Sequence, residues 1–111
     1  MTDYIQVLTT IDDETKAAQI AAALVEERLA ACVQVMGPMT STYRWKGQIQ
    51  TSREWLCVAK TRRDRYDEVE AAIRRVHSYE LPEILAVPVV AGGRDYLAWL
   101  DGEVGQASSR P

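Results

Sequence analysis

The sequence predicts an α+β protein whose elements follow the order βαββαβ, with a short helix near the C-terminal end. Four segments are rich in β-branched and aromatic residues, and two longer segments repeat apolar residues at helical spacing. The two middle strand segments follow each other with no helix between them. This order is typical of a split βαβ layout, in which one antiparallel sheet carries the two main helices on a single face.

The length of the chain predicts a single domain. At 111 residues the chain can bury a core without disulfides, and no linker-like stretch divides it. We expect residues 1–104 to form this domain. Residues 105–111, with the sequence GQASSRP, are small and polar and are expected to be a flexible tail.

The first strand and the first helix occupy the N-terminal part. Tyr4–Ile11 has the composition of a strand and ends at acidic residues. Asp12 or Asp13 is the expected N-cap of the helix, which closes near Leu29. Its core face is predicted from apolar residues three and four apart: Ala17, Ile20, Ala21, Leu24 and Val25.

A long hairpin is predicted next. Ala31–Met36 reads as a strand, Gly37-Pro38 breaks or bends it, and it resumes as far as Trp45. Gln48–Thr61 supplies the returning strand. The two arms cover roughly 30 residues, whereas an ordinary strand has about 5 or 6. A domain of this size is only ~26 Å across, so part of the hairpin is expected to project.

The projecting part of the hairpin carries aromatic side chains. Alternation along the strand places Ser41, Tyr43 and Trp45 on one side, and Trp55 lies on the returning arm. Rings of this size would form a large exposed apolar patch if nothing covered them. We therefore expect another subunit to cover the hairpin; the alternative is that it folds back on its own helices.

The second half of the chain begins with the second helix. Thr61 and Asp64 have the spacing of a capping box at its start. Its core face is predicted to contain Tyr66, Val69, Ile73 and Val76.

A strand and a short helix complete the domain. Glu83–Val90 predicts the last strand, and Pro88 within it suits an edge or a strand end. In the final helix Asp95 is the expected cap and Gly102 the expected stop. The complete layout is ferredoxin-like, and because this fold hosts many unrelated activities, function has to be argued from a site.

Composition and charge argue against several classes of partner. The net charge of −3 and the pI near 5.1 disfavour nucleic-acid binding, which needs clustered Lys and Arg. No uncharged apolar run is long enough to cross a membrane, and the N-terminal residues lack the pattern of a signal peptide. We therefore expect a cytoplasmic protein with neither a nucleic-acid nor a membrane partner.

The two cysteines do not form a redox or zinc motif. Cys32 and Cys57 lie 25 positions apart with no CxxC. In a reducing compartment both are expected to be free thiols, and a buried cysteine commonly serves as a small hydrophobic residue.

Five short motifs occur in the order and spacing of one known family. They are ERLAACVQV, YRWKGQI, the Lys60-Thr61 pair, HSYELPEI and YLAWL. From Tyr4 to about Leu100 the chain resembles the CutA proteins, known as divalent cation tolerance proteins. Each motif alone is weak, but the combination is highly specific.

The resemblance implies a ferredoxin-like subunit in a tight homotrimer, with the long hairpins reaching onto neighbouring subunits. This agrees with the expectation already drawn from the length of the hairpin. It also implies structural similarity to the trimeric nitrogen-regulatory signal proteins, which bind small ligands in clefts between subunits.

The densest cluster of polar residues is HSYELPEI, which holds the only histidine, His77. Imidazole and carboxylates are competent ligands for zinc or copper, and Cys32 could add a thiolate if the second strand lay beside this junction. The resemblance implies that divalent metal, copper especially, binds at positions matching Cys32 and His77, with a carboxylate nearby. The candidate carboxylates are Glu54, Glu80 and Glu83.

These residues also have simpler interpretations. His77 can be a cation at a helix C-terminus or a partner of a backbone carbonyl, and Glu80 and Glu83 can bracket the turn around Pro82. The family usually has proline where this chain has Ser78. Proline at position 78 would fix the backbone before Tyr79. With serine there the side chain of His77 is held less rigidly, and a lower metal affinity is expected.

A second set of candidates lies at predicted subunit contacts or clefts. Tyrosine and tryptophan suit both subunit packing and ligand stacking, because a polar atom sits on a large apolar ring. Lys60, at a strand end, could bind an anion or form a salt bridge to another subunit. The set is Tyr43, Trp45, Trp55, Lys60, Tyr79, Tyr96 and Trp99.

The function predicted from these residues is a homotrimer that binds copper or another divalent cation and takes part in divalent cation tolerance. The alternative is a trimeric signalling or scaffold protein that binds a small anionic metabolite between subunits. An enzyme is not expected. It would need a nucleophile beside a base or two carboxylates in one cleft, and His77 with Glu80 or Glu83 is the only candidate. The acidic TTIDDE segment also stands where a phosphate-binding loop would be needed.

Overall fold

A computed structural model describes residues 3–106. Its four-stranded antiparallel sheet has the order β2-β3-β1-β4, which confirms the predicted ferredoxin-like α+β fold. None of its helices within these residues is long and apolar enough to cross a membrane. The elements are β1 (Tyr4–Ile11), α1 (Glu14–Glu26), β2 (Cys32–Trp45), β3 (Gln48–Arg62), α2 (Tyr66–Val76), β4 (Ile84–Pro88) and α3 (Arg94–Glu103).

The core lies between one face of the sheet and helices α1 and α2. In β1, Ile5, Val7 and Ile11 alternate with less buried residues, as expected for a strand with one face against a core. On the neighbouring strand β3, alternate residues including Cys57 and Ala59 face the same side and are buried in the same cluster. The helices contribute Ala17, Ile20, Leu24, Val69, Ala72 and Ile73.

The opposite face of the sheet, which we call the open face, has no α1 or α2 packed on it. Val58 is buried there, but Met36, Leu85 and Val87 are 50%, 55% and 38% exposed. Together with the hairpin they leave a broad apolar surface uncovered in the single chain.

The hairpin is as long as predicted, and its outer part is not covered by its own helices. Residues 42–44 and 46–51, on both sides of the turn, are all exposed, and the long axis of the molecule measures 43 Å. Lys46 and Gly47 form the two-residue turn with positive φ angles of 52° and 77°, the pattern of a type I′ turn.

A β-bulge sits in β2 where the sequence predicted a break. Met36 pairs with Leu56 and Met39 pairs with Glu54, so two residues of β2 face one residue of β3. Gly37 has a φ of 153°, and an added Cβ would lie 2.7 Å from Cδ1 of Trp55. The bulge therefore requires glycine at this position.

The bulge changes which residues of β2 face the open side. Before it, even-numbered residues such as Met36 share the face of Leu56; after it, Tyr43 and Trp45 share the face of Glu54. Because alternation has a period of two, one extra residue is enough to produce this change.

The predicted capping box of the second helix is wrong. Residues 63–65 form a 3-10 turn, α2 begins at Tyr66, and no side chain caps it. The hydroxyl of Thr61 instead donates a 2.6 Å hydrogen bond to the carbonyl of Leu29, where both groups are buried. Satisfying this buried carbonyl takes the hydroxyl away from the helix start.

The last strand and last helix differ from prediction at their ends. β4 is shorter than the predicted Glu83–Val90 and ends at Pro88. The N-cap of α3 is Gly93, Asp95 lies within its first turn, and Gly102 lies inside the helix, not at its stop. The predicted cap and the predicted stop of this helix are therefore both wrong, although each lies close to the true end.

Three arginines hold the C-terminal end of α3. Arg28 donates to the carbonyls of Gly102 and Glu103, and Arg62 donates to that of Val104. Arg62 and Arg65, both nearly buried, also donate to the carbonyl of Gly105. The carbonyls that a helix end leaves unpaired are thus satisfied by cations. Of the predicted tail, 105–111, residues 107–111 lie outside the described part.

Candidate functional site

A groove on the open face lies between the hairpin and the segment that joins α2 to β4. Its volume is about 730 Å³. Strand β3 contributes Glu54, strand β2 contributes two aromatic rings, and the connecting segment contributes Tyr79 and two acidic residues. The groove is lined by Thr10, Asp12, Ser41, Thr42, Tyr43, Trp45, Ser52, Glu54, Tyr79, Glu80, Leu81 and Glu83.

Glu54 is the most deeply placed acidic residue of the groove. Its exposed fraction is only 6%, and its Oε2 accepts a 2.6 Å hydrogen bond from the hydroxyl of Tyr79. Within residues 3–106, neither a second hydrogen bond nor an ion pair reaches this carboxylate. Burial, followed by this hydrogen bond to Glu54, raises the pKa of Tyr79, so the hydroxyl stays a donor.

His77 fixes the segment that carries Tyr79. The backbone N–H of Tyr79 donates to Nδ1 of His77 at 3.2 Å, so Nδ1 is an acceptor. Nε2 lies 2.7 Å from the carbonyl of Thr10, which can only accept, so Nε2 carries the proton. The imidazole is therefore neutral in this arrangement, and both of its nitrogens already have partners.

Three more carboxylates stand at the rim of the groove. Asp12, Glu80 and Glu83 are exposed, and they come from the end of β1 and from the segment before β4. Among the described lining residues there is no Lys, Arg or His. The groove therefore carries negative charge and favours a positively charged ligand.

Aromatic rings form the wall on the hairpin side. Tyr43 and Trp45 both face the groove, as the alternation of the strand predicted, and Tyr43 is tied to Ser52 by a 2.5 Å hydrogen bond between their hydroxyls. The ammonium group of Lys46 lies 5.7 Å from the centre of the Trp45 ring. At this distance a ring face attracts a cation.

Cys32 and His77 are far apart within one chain. Cys32 pairs with Lys60, whereas Thr10, the partner of His77, pairs with Leu56. Four residues along a strand correspond to about 13 Å. In the described part of the chain, no group of three or more His, Cys, Asp or Glu residues could hold a metal ion. The outer part of β2 borders the segment between α2 and β4, but Cys32 lies at the other end of this strand, so it does not join the site within a single chain.

The remaining candidates lie away from the groove. Lys60 and Tyr96 line a hollow of about 200 Å³ beside α3, with the ammonium group 5.9 Å from the centre of the tyrosine ring. Trp99 packs against Tyr96 at 5.5 Å between ring centres. Trp55 is on the helix side of the sheet and packs against the core of its own chain.

Half of the lining residues are not among the site residues predicted from the sequence: Thr10, Asp12, Ser41, Thr42, Ser52 and Leu81. The sequence suggests Asp12 or Asp13 as the helix cap, and Asp13 performs that role by accepting from the N–H of Lys16. Ser52 was missed because its place beside Tyr43 depends on the register after the bulge. Of Asp12 and Ser52, only Asp12 could have been found from the sequence, because it is the first of two adjacent acidic residues.

Known proteins resemble this chain over nearly its whole length. The family model described as CutA1 divalent ion tolerance protein matches residues 5–103. The divalent-cation tolerance protein CutA of Thermus thermophilus is 42% identical over 99 residues, which cover 89% of this chain and 96% of that protein. The human protein CutA is 42% identical over 91 residues, and the match spans 82% of this chain and 51% of the human protein.

Solved structures give the same result. The divalent cation tolerance protein from Thermus thermophilus superposes with a TM-score of 0.89 at 41% identity, covering 92% of this chain and 99% of that one. CutA1 from Oryza sativa superposes with a TM-score of 0.92 at 31% identity, covering 96% of this chain and 97% of that one.

Proposed function

The chain belongs to the CutA1 divalent ion tolerance family, and we propose that it is a cytoplasmic homotrimer that binds a divalent cation and contributes to metal-ion tolerance. The observation that carries the binding proposal is Glu54, a nearly buried carboxylate that faces an acidic groove with one oxygen unbonded in the described residues. The unbonded oxygen is open to the groove, where a cation can bind it and compensate the charge of the carboxylate.

The surface of the single chain supports the trimer. The exposed hairpin and the apolar open face both need cover, and a two-stranded ribbon is marginally stable by itself in water. The hairpin and this sheet face adjoin at the groove, so a neighbouring subunit that covers both would also border the groove. We propose that a complete ligand set forms only there.

The metal ligands that we propose come from two places. Glu54, Glu80 and Glu83 supply oxygen at the groove, whereas Cys32 and His77 supply sulfur and nitrogen of the kind that copper and zinc prefer. Cys32 would join the others across a subunit boundary. His77 would have to release either the N–H of Tyr79 or the carbonyl of Thr10 before it binds a metal.

The sign of the charge in the groove supports a cation over the alternative of an anionic metabolite. The proposed action is binding and not catalysis, and the proposed partners are further copies of the chain, with no nucleic acid or membrane. The overall charge of −3 agrees with this choice of partners.

Calorimetric titration with Cu²⁺ and Zn²⁺, together with sedimentation, tests the proposal. We expect a trimer with saturable metal binding, and at least about tenfold weaker binding in Glu54→Gln, equal to ~1.4 kcal/mol. Cys32→Ser and His77→Ala should also weaken binding while the trimer persists. Equal affinity in all three variants would remove these residues from the site, and a folded monomer would remove the subunit boundary.

A further inference from the structure

The groove is much larger than a metal ion needs. Its volume of about 730 Å³ lies within the range of small-molecule sites, roughly 300–1,000 Å³. A bound metal ion occupies only the space inside a shell of ligands about 2 Å away. Most of the volume of the groove in the single chain is therefore left for a larger ligand or for part of a neighbouring subunit.

The walls of the groove combine charge with aromatic rings. Tyr43 and Trp45 form one side, Tyr79 forms part of the other, and the carboxylate of Glu54 lies among them with Oε1 unbonded in the described residues. Rings next to a carboxylate suit a ligand with a positively charged head and an apolar stem. A strongly hydrated metal ion would make no use of the apolar faces of these rings.

Glu54 also discriminates between charged and neutral heads. Its Oε2 accepts from Tyr79, so the carboxylate offers acceptor sites on Oε1 and no donor. An ammonium or guanidinium group supplies both donors and the missing positive charge, whereas a neutral alcohol supplies one donor and no charge. The acidic rim of Asp12, Glu80 and Glu83 attracts the same kind of head.

We propose that the groove binds an organic cation, with its ammonium or guanidinium head on Glu54 and its alkyl stem against Tyr43 and Trp45. This goes beyond the proposed metal binding and does not depend on it, because Cys32 takes no part in it. The same chemistry is presented by a free alkylamine and by a lysine side chain of a peptide.

Titration with three probes tests this inference on the full-length protein: butane-1,4-diamine, N-acetyl-lysine amide and butan-1-ol. Calorimetry and tryptophan fluorescence report binding, since Trp45 lies in the wall. We expect at least one of the two amines to bind at least about tenfold more tightly than the alcohol, and its binding to weaken with added salt. The better of the two amines identifies the source of the ligand.

Matched variants locate the site. Glu54→Gln should lose at least about tenfold in amine affinity, whereas Glu26→Gln, which removes the same charge from an exposed position outside the groove, should lose none. Trp45→Leu should weaken amine binding, whereas Cys32→Ser should weaken metal binding and leave amine binding intact. This pair separates failure of the present inference from failure of the proposed metal site.

Three results would overturn the inference. They are no amine binding by the folded wild type, equal binding of amine and alcohol, and amine affinity unchanged in both Glu54→Gln and Trp45→Leu. The first result is also expected if another copy of the chain fills the groove. If Glu54→Gln does not fold, Trp45→Leu decides the outcome, with its melting temperature as the check on folding.

Discussion

The hydroxyl of Tyr79 donates to the carboxylate of Glu54 across 25 positions of the chain. This one bond joins the segment before β4 to the inner end of the hairpin. It also brings the groove wall and the buried charge together. Its loss should therefore be visible in both stability and binding.

Tyr79→Phe removes the hydroxyl and leaves Glu54 without its donor. We expect a loss of about 1.5–3 kcal/mol in the free energy of unfolding, because the acceptor is a nearly buried charged group. Urea denaturation at pH 7 measures it. Tyr43→Phe is the matched control: its hydroxyl bonds Ser52 at an exposed site, so a much smaller loss is expected. Equal losses would show that burial of Glu54 does not matter.

Gly37→Ala places a methyl group against the Trp55 ring, at a φ of 153° that alanine rarely adopts. We expect a loss of roughly 1–3 kcal/mol. Gly102→Ala is the control, since nothing lies within 4 Å of its added Cβ and it sits inside a helix. That variant should gain about 0.5–1 kcal/mol, because alanine is the better helix former. Thermal unfolding distinguishes the two signs.

Thr61→Val tests the hydrogen bond that replaced the predicted helix cap. Thr61 is fully buried, and its loss leaves the carbonyl of Leu29 without this donor. We expect a cost of about 1–3 kcal/mol. The same change at the exposed Thr51 should lie within ~0.5 kcal/mol of wild type. A neutral Thr61→Val would mean that the bond contributes little.

Cys57 predicts a dependence of stability on alkaline pH. Burial raises the pKa of its thiol to about 11, so the folded state holds the proton more tightly than the unfolded state does. The stabilisation from the neutral thiol is complete below about pH 8.5, the ordinary thiol pKa, and is lost as the pH rises towards 11.

Comparison with Cys57→Ala isolates this effect, because the tyrosines titrate in both proteins. The difference in unfolding free energy between wild type and the variant should shrink between about pH 8 and pH 10.5. Urea midpoints at the two values measure it. A difference that stays constant would assign the alkaline loss of stability to other groups.

The sequence predicted the order of elements because each strand and helix has its own local pattern of apolar residues. It also predicted that Tyr43 and Trp45 share a face, since alternation is local. It could not predict the contact of Glu54 with Tyr79, which depends on how the segment before β4 crosses the end of β1. Nor could it show that the hydroxyl of Thr61 would serve Leu29, because local and distant partners compete for that hydroxyl.

The bulge at Gly37 and Pro38 constrains how the hairpin can vary in length. Between the bulge and Tyr43, adding or removing two residues in each arm keeps Tyr43 on the groove side, whereas one residue in each arm sends it to the other side. Deleting Pro38 alone would remove the bulge and move the groove-facing residues of β2 beyond it to the other side of the sheet. Viable length variants of the stretch between the bulge and Tyr43 should therefore differ by even numbers of residues per arm.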